Sequence, residues 1–517
     1  MNGRRTAIGF TLVAAGSLAV LWCTYFPLGI PGEWEWDRIP IVPGDWPAVL
    51  LGWLSAGLVG GLYVALTLVG SQRVAATSRA HLAAWLAALT VGGFAWLWVV
   101  QDSPADPAYG LAKTGWVLYF RGTEGYFDQA RYEMRDVPSY LRGYEHLMAQ
   151  GDVLHLGTHP PGLMLFHRAC LNVCAEVPAL RDLLLRTQPS SFREALDQTE
   201  KLNRGTDHAI TPTDRGALWL AALITQAAAA MTLVLIYLLV RRDHARPVAW
   251  LACSLWPLVP ALAIFLPKSD ALLPCLAALF VWLWLEGFRR GRLGLCVLAG
   301  AVLWLTMFMS LAVLPIGVAA WLLTLWEGAL CEKTERPTLR MRDWAARIGA
   351  AFVGWAVPVA LLALVGLNLL GVWSWNYHNH AGFYQQNERT YTRWLVANPI
   401  ELGFALGAPL ALAAVLGIVC SIRAGWRRRA AGPAWCLTAV WLLLWLSGKN
   451  MGEAARLWLI LMPWAAWLTA GYFAARVPAA QSADEQPPPI RPALVLLGLQ
   501  MLVCLGTVTR VTGFRWG

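Results

Sequence analysis

Apolar stretches of about 20 residues recur along this chain from end to end, and an α-helix of that length crosses the hydrocarbon core of a bilayer. Hydrophobic residues make up 57% of the 517 residues and charged residues only 14%, whereas a soluble domain averages about 25% charged residues. Lipid offers no partner for backbone polar groups, so such stretches fold as helices, whose hydrogen bonds are internal. The sequence therefore predicts an all-α polytopic membrane protein in which residues 1–517 form a single membrane domain.

The lengths of the apolar stretches predict about 13 transmembrane helices of roughly 20 residues each. The run that follows Arg4 and Arg5 is too long for the h-region of a signal peptide and has no small-residue cleavage site after it, so we predict a retained first helix. The predicted spans are about 6–30, 47–70, 80–100, 216–240, 247–266, 271–288, 293–308, 311–328, 346–371, 399–422, 432–447, 457–475 and 492–513.

Positive charge is concentrated in short turns between the apolar stretches, as in Arg241-Arg242 and Arg427-Arg428-Arg429. Cytoplasmic turns carry an excess of lysine and arginine, so this pattern predicts a cytoplasmic N-terminus and a non-cytoplasmic C-terminus. Residues 101–215 then form one large non-cytoplasmic loop, in which residues 161–180 lie against membrane lipids as an amphipathic interfacial helix. Orientation in the membrane accounts for the net charge of +10, and no nucleic-acid partner is predicted.

Ionisable residues are rare inside the predicted spans and gather in the non-cytoplasmic segments. A transporter keeps such groups near the midplane, at broken helices. The distribution in this chain favours an enzyme at the outer membrane surface, where a lipid-linked substrate meets a second substrate from outside. Two other classes stay open, a transporter or flippase of a lipid-linked molecule and a non-enzymatic scaffold. The charged segments are the loop 101–215, Lys268 to Asp270, the loop 372–398, and Lys449 to Arg456.

Three short motifs occur in order within and after the long loop. They are Gly125-Tyr126-Phe127-Asp128-Gln129-Ala130-Arg131-Tyr132, His159-Pro160-Pro161 and Pro267-Lys268-Ser269-Asp270-Ala271-Leu272-Leu273. Over residues 115–290 this set resembles the polyprenyl-phosphate-sugar-dependent glycosyltransferases of the C superfamily, which include protein O-mannosyltransferases and lipid A aminoarabinose transferases. The sequence departs from the family pattern at Asp128-Gln129, where two adjacent acids are common.

The resemblance implies a glycosyltransferase of the cell envelope, in a bacterial cytoplasmic membrane, with its active site on the non-cytoplasmic side. It also implies a polyprenyl-phosphate-linked sugar as donor and a lipid, glycan or protein as acceptor. An acceptor hydroxyl becomes a good nucleophile when a base takes its proton. Asp128, in the outer loop, is the predicted catalytic base, with Asp152 and Glu124 as alternatives.

The phosphate that leaves such a donor requires positive charge near the outer membrane surface. Lys268, Arg456 and His159 are predicted to bind it. Two alternatives stay open: the cations reach lipid headgroups from the interface, and Arg456 forms an ion pair with Glu453, three residues before it. The residues predicted to contact substrate are Asp270, His378, His380, Tyr384 and Glu453.

Histidine and cysteine patterns do not define a metal site. His155 and His159 are four residues apart, but Pro160 and Pro161 oppose a helix there, and the sequence contains no His-Glu-x-x-His motif. No metal ligand is predicted, and a bound divalent metal is left open. The ten cysteines lie mostly in apolar stretches, where a thiol behaves as a small hydrophobe, so no disulfide framework is predicted.

Overall fold

The chain is an all-α polytopic membrane protein, as predicted. The computed structural model describes residues 3–153, 156–203, 205–206, 208–335, 340–477 and 488–514, and it is 78% helical. Strands in the described chain are two-residue segments that pair antiparallel as β1 with β2 and β3 with β4. They are β1 (Gly29–Ile30), β2 (Trp34–Glu35), β3 (Asp37–Arg38) and β4 (Val511–Thr512).

The helices fall into those before, within and after the long loop. Before the loop are α1 (Gly3–Cys23), α2 (Trp46–Arg73) and α3 (Arg79–Gln101). Within it are α4 (Lys113–Tyr119), α5 (Tyr126–Asp128), α6 (Val137–Ala149), α7 (Gly162–Glu176), α8 (Pro178–Thr187) and α9 (Ser190–Leu202). After it are α10 (Pro212–Val240), α11 (Arg246–Ser254), α12 (Pro260–Phe265), α13 (Leu273–Arg290), α14 (Leu293–Met309), α15 (Leu314–Leu325), α16 (Met341–Leu364), α17 (Leu369–Gln386), α18 (Tyr391–Leu406), α19 (Ala408–Gly425), α20 (Gly432–Leu446), α21 (Ala454–Leu457), α22 (Pro463–Ala474) and α23 (Ile490–Arg510).

Ten helical segments of the described chain are long and apolar enough to cross a membrane, so the predicted count of spans is not confirmed. The span predicted at 247–266 is divided into α11, a 3-10 turn at Trp256–Leu258 and α12. The span predicted at 457–475 is likewise divided into a 3-10 turn and α22, and α14 is only 17 residues long. Proline interrupts both divided spans, since it lacks a backbone N–H and clashes with the preceding turn.

Ion pairs hold the basic turns together at one end of the bundle, which we call the basic end. Arg242 Nη2 lies 2.9 Å from Glu327 Oε1, and Arg429 Nε lies 2.6 Å from Asp243 Oδ1. Helix α10 runs from the long loop to this end, so the loop lies at the opposite end of the bundle. We call that opposite end the loop end.

The long loop is anchored where α10 begins. Arg131 Nε donates a hydrogen bond to Asp214 Oδ1 at 2.6 Å, and the other oxygen of Asp214 accepts from the backbone and hydroxyl of Thr211. This capping box satisfies donors at the helix N-terminus. Later in the loop, α7 and α8 meet at an angle of 107°. The loop thus forms a helical layer over the loop end.

Candidate functional site at the loop end

A cavity of about 510 Å³ lies at the loop end, between the long loop, α15, α17 and the segment 449–461. A second cavity of about 50 Å³ adjoins it, because His159, Ser310 and Arg456 bound both. We call the larger space the wide chamber and the smaller one the inner branch. The inner branch is also lined by Tyr126, Lys268 and Asp270.

Lys268 borders the inner branch with only 2% of its surface exposed. Its Nζ donates a hydrogen bond to the backbone oxygen of Thr123 at 2.7 Å. Burial, reinforced by the nearby charge of Arg456, lowers the pKa of Lys268 to about 8. An ammonium group has three donors, so Lys268 can also donate to an anion in the branch.

The turn that carries Lys268 is fixed by a buried carboxylate. The Oε1 atom of Glu124 accepts a hydrogen bond from the backbone N–H of Ser269 at 2.6 Å. Its Oε2 lies 3.6 Å from Nε2 of His167, and both side chains are fully buried. The 3-10 turn Ser269–Leu272 then leads into α13 and carries Asp270 into the lining of the branch. Glu124, an alternative base from the sequence, is therefore tied to this turn and does not line either cavity.

Arg456 projects from α21 where the two cavities meet. Its Nη2 lies 2.6 Å from Glu453 Oε2, which is the ion pair that their spacing suggested. Its Nε is buried and has no hydrogen-bond partner among the described residues. The Arg456 side chain as a whole is 21% exposed and a guanidinium has five donors, so donors other than the enclosed Nε can face an anion in the branch.

The start of α21 is held by a second buried carboxylate. Glu401 is 2% exposed, and its Oε1 accepts hydrogen bonds from the backbone of Ala455 at 3.0 Å and from Trp36 Nε1 at 3.2 Å. The preceding loop contains two non-glycine residues in the left-handed region, Asn450 (φ 62°) and Glu453 (φ 55°). Such conformations persist where the surroundings enforce them and are common at functional sites.

The segment 372–398, predicted as an outer loop, is mainly helical. Asn368 caps α17 by accepting from the backbone N–H of Gly371 at 3.2 Å. Helical periodicity brings His380 and Tyr384 to the wide chamber, and the Tyr384 hydroxyl accepts from the backbone N–H of Met451 at 3.0 Å. His378 does not line either cavity; it is exposed and lies edge-on to Trp375.

Helix α17 also positions the loop that carries His159. Asn376 and Asn379, three residues apart on one helix face, each donate to the backbone oxygen of Gly157 at 2.9 Å. The hydroxyl of Tyr144 donates to the backbone oxygen of His159 at 2.8 Å. The two asparagines were not predicted as site residues. Their helical spacing is the signal in the sequence that would have paired them.

Asp128, the predicted base, is not among the residues that line either cavity. Tyr126, two residues before it, lines the inner branch. Burial raises the pKa of Asp128, while the charges of Arg121 and His208 oppose that shift. The role of Asp128 stays a prediction. The carboxylates that line the cavities are Asp270 and Glu453.

A metal ion has no evident ligand set in the part of the chain that the structure describes. No group of three or more His, Cys, Asp or Glu side chains there is placed to hold one. His155, half of the pair considered from the sequence, lies outside the described residues. We therefore assign no residue to a metal.

The two cavities bring together most of the site residues predicted from four distant parts of the sequence. Comparison with known proteins adds no assignment to this geometry. The residues brought together are His159, Lys268, Asp270, His380, Tyr384, Glu453 and Arg456. No protein-family model, no curated protein and no solved structure matches this chain.

Proposed function

We propose that the protein is a membrane glycosyltransferase that moves a sugar from a polyprenyl-phosphate donor to an acceptor at the outer face of the membrane. The observation that carries this proposal is the inner branch, where Lys268 and Arg456 line one small space with Asp270. Two cations suit the phosphate of the leaving group. A carboxylate beside them suits the proton that the acceptor hydroxyl must lose.

The wide chamber supports an amphiphilic donor. Its polar wall includes His159, His380 and Tyr384. The same chamber is also lined by leucines from the membrane-spanning helices and the turn at α21, which suit a prenyl chain. These leucines are Leu311, Leu314, Leu444, Leu457 and Leu461. A lipid-linked sugar would expose both kinds of surface at once.

Orientation supports an outer-face site. The basic end gathers turns rich in arginine, which favours the cytoplasmic side. The loop end would then face outward. If the divided spans at 247–266 and 457–475 and the short helix α14 also cross, the count reaches the proposed 13 spans and the C-terminus lies outside.

In the proposed reaction, the acceptor oxygen forms a bond to the anomeric carbon of the sugar while the bond from that carbon to the phosphate oxygen breaks. The acceptor proton passes to Asp270, the carboxylate that lines the inner branch together with both cations. The electron pair of the broken bond leaves with the phosphate, and Lys268 and Arg456 stabilise its charge. The products are the glycosylated acceptor, which can be a lipid, glycan or protein, and free polyprenyl phosphate.

The test is sugar transfer by purified protein in phosphatidylcholine vesicles. Polyprenyl-phosphate donors with radiolabelled hexose or pentose are added with lipid, glycan and protein fractions of the cell envelope. We expect label to enter one fraction as polyprenyl phosphate is released, and we expect Lys268→Gln to prevent both. If no donor is consumed while a labelled lipid crosses the bilayer, the transporter class replaces this proposal.

A further inference from the structure

The wide chamber contains more positive charge than donor binding requires. Its charged lining residues within the described chain are three cations and one carboxylate. The carboxylate, Glu453, is already paired with Arg456 at 2.6 Å. The two remaining cations, Arg389 and Lys449, line the chamber but not the inner branch.

Neither cation has a carboxylate partner among the described residues. Arg389 Nη1 donates to the backbone oxygen of Glu388 at 3.1 Å, while its Nε is buried without a partner in that part of the chain. Its guanidinium lies over the ring of Phe383, 5.8 Å from the centroid. Lys449 Nζ lies 4.8 Å from the ring centroid of Tyr377. Ring contacts of this kind orient a cation without occupying its hydrogen-bond donors, so the second terminal nitrogen of Arg389 and the Lys449 ammonium can donate to an anion.

The nearby carboxylate of Glu33 is engaged by other residues. Glu33 accepts hydrogen bonds from the backbone and hydroxyl of Thr390 and from Trp394 Nε1 at 2.6–2.8 Å. The Glu33 carboxylate therefore binds Thr390, the residue next to Arg389, and none of these bonds comes from the Arg389 guanidinium. The chamber therefore holds two directed cations whose compensating charge does not come from the described chain.

We infer that Arg389 and Lys449 bind an anionic group, a phosphate or a carboxylate, of the second substrate in the wide chamber. This inference rests on the proposed function for the identity of that substrate as the acceptor. The donor phosphate would occupy the inner branch, and the acceptor anion would sit in the chamber beside it. The acceptor class is thereby narrowed to molecules that carry negative charge near the hydroxyl to be glycosylated.

Binding measurements on the full chain in phosphatidylcholine nanodiscs test the inference. The probes are glucose 6-phosphate and glucuronate as soluble anions, glucose as the neutral control, and a polyprenyl monophosphate for the inner branch. The variants are the double change Arg389→Gln with Lys449→Gln, and Arg393→Gln as the matched control. Arg393 belongs to the same segment but does not line either cavity, and 64% of its side chain is exposed. The thermal unfolding midpoint of each variant verifies folding.

We expect wild type and Arg393→Gln to bind at least one soluble anion more tightly than glucose. The double variant should bind that anion at least about tenfold more weakly, since a hydrogen bond to a charged group commonly accounts for a factor of that size. Its affinity for polyprenyl monophosphate should be unchanged. Repeating the titration in phosphatidylglycerol nanodiscs identifies the source of the anion. If that lipid competes with the soluble anion, the acceptor is a lipid; if it does not compete, the acceptor is soluble.

Three results would overturn the inference. The first is that wild type binds no soluble anion better than glucose, and the second is that the double variant binds the anion as tightly as wild type. The third is that the double variant loses affinity for polyprenyl monophosphate as much as for the soluble anion, which would assign both cations to the donor. Failure of the proposed function is a different result, in which wild type binds the soluble anion but no polyprenyl monophosphate.

Discussion

At the scale of single residues, two aspartates compete for the role of general base. Asp128 belongs to the motif that resembles the glycosyltransferase family, whereas Asp270 lines the inner branch with Lys268 and Arg456. A base must come within hydrogen-bond reach of the proton that it takes. We therefore expect Asp270→Asn to slow sugar transfer by about 10²–10⁴-fold, the usual loss when a general base is removed. Initial transfer rates at saturating donor provide the measurement.

The matched controls for this change are Asp128→Asn and Glu124→Gln. Asp128→Asn should keep near-normal rates, because its carboxylate does not line the cavity. Glu124→Gln should mainly lower thermal stability, because the amide keeps one acceptor for Ser269 but removes the negative charge and the second oxygen that face the buried Nε2 of His167. A large rate loss in Asp128→Asn, with normal transfer by Asp270→Asn, would return the base to the residue predicted from sequence.

Lys268 leads to a prediction about pH. With its pKa lowered to about 8, the side chain is a cation at pH 7 and becomes neutral as pH rises through that value. Phosphate monoesters are already fully ionised there, since their second pKa is about 6. Affinity for polyprenyl monophosphate should therefore fall between about pH 7 and 9. Lys268→Arg should abolish this fall, because arginine stays charged; an identical pH profile in that variant would exclude Lys268 as the titrating group.

The sequence could identify Lys268 and Asp270 because they follow Pro267 directly at the start of an apolar span, where charge is otherwise absent. It could not separate His378 from His380. That distinction depends on whether the segment is a loop or the helix α17, since two residues along a helix point in nearly opposite directions. The sequence also could not predict the contacts of Arg389 and Lys449. Cations are common at membrane interfaces, and the residues next to them in sequence do not show whether a cation lacks a carboxylate partner.

At the scale of elements, the packing of α14 against α16 depends on glycine. A β-carbon at Gly300 would overlap the backbone oxygen of Ala351, and one at Gly354 would overlap that of Val297. Small residues allow helix backbones to approach closely in membranes. We expect Gly300→Ala and Gly354→Ala each to destabilise the fold by about 1–3 kcal/mol, the usual cost of overpacking. Thermal unfolding in a fixed detergent measures the effect.

The control for this prediction lies on the same helix. Gly349 in α16 has no atom within 4 Å of the position that a β-carbon would take, so Gly349→Ala should leave the unfolding midpoint unchanged or raise it slightly. Equal midpoints for Gly349→Ala and Gly354→Ala would mean that the contact does not limit stability. Apolarity alone predicted α14 and α16 as spans. Which of their glycines lie against the backbone of the other helix depends on how the two helices pack.

At the scale of the whole molecule, the candidate site exists only after folding. Tyr126 comes from the long loop, Asp270 from the turn before α13, His380 from α17 and Arg456 from α21. Charge patterning could predict that these segments share one side of the membrane, because alternation of spans fixes the side. It could not predict that they meet, since proximity among so many helices is set by side-chain packing across the bundle.

The orientation of the bundle is the last prediction, and every outer-face assignment depends on it. Gln198 lies exposed on α9 in the long loop, and Arg292 lies exposed in the turn between α13 and α14. In a Cys23→Ser background, which removes an exposed native cysteine, we expect a membrane-impermeant maleimide to label Gln198→Cys in intact cells. Arg292→Cys should be labelled only after permeabilisation, because basic turns face the cytoplasm.

Each alternative outcome of this labelling has a distinct meaning. The reverse pattern would invert the whole bundle and place the two cavities on the cytoplasmic side. An acceptor at the outer face could not reach a site there. Labelling of both positions from outside would instead mean that the chain crosses the membrane an even number of times between α9 and the turn before α14, where we predict three crossings. In that case the divided helix α11–α12 would be the first segment to re-examine, since it lies between the two probes and is not a continuous span.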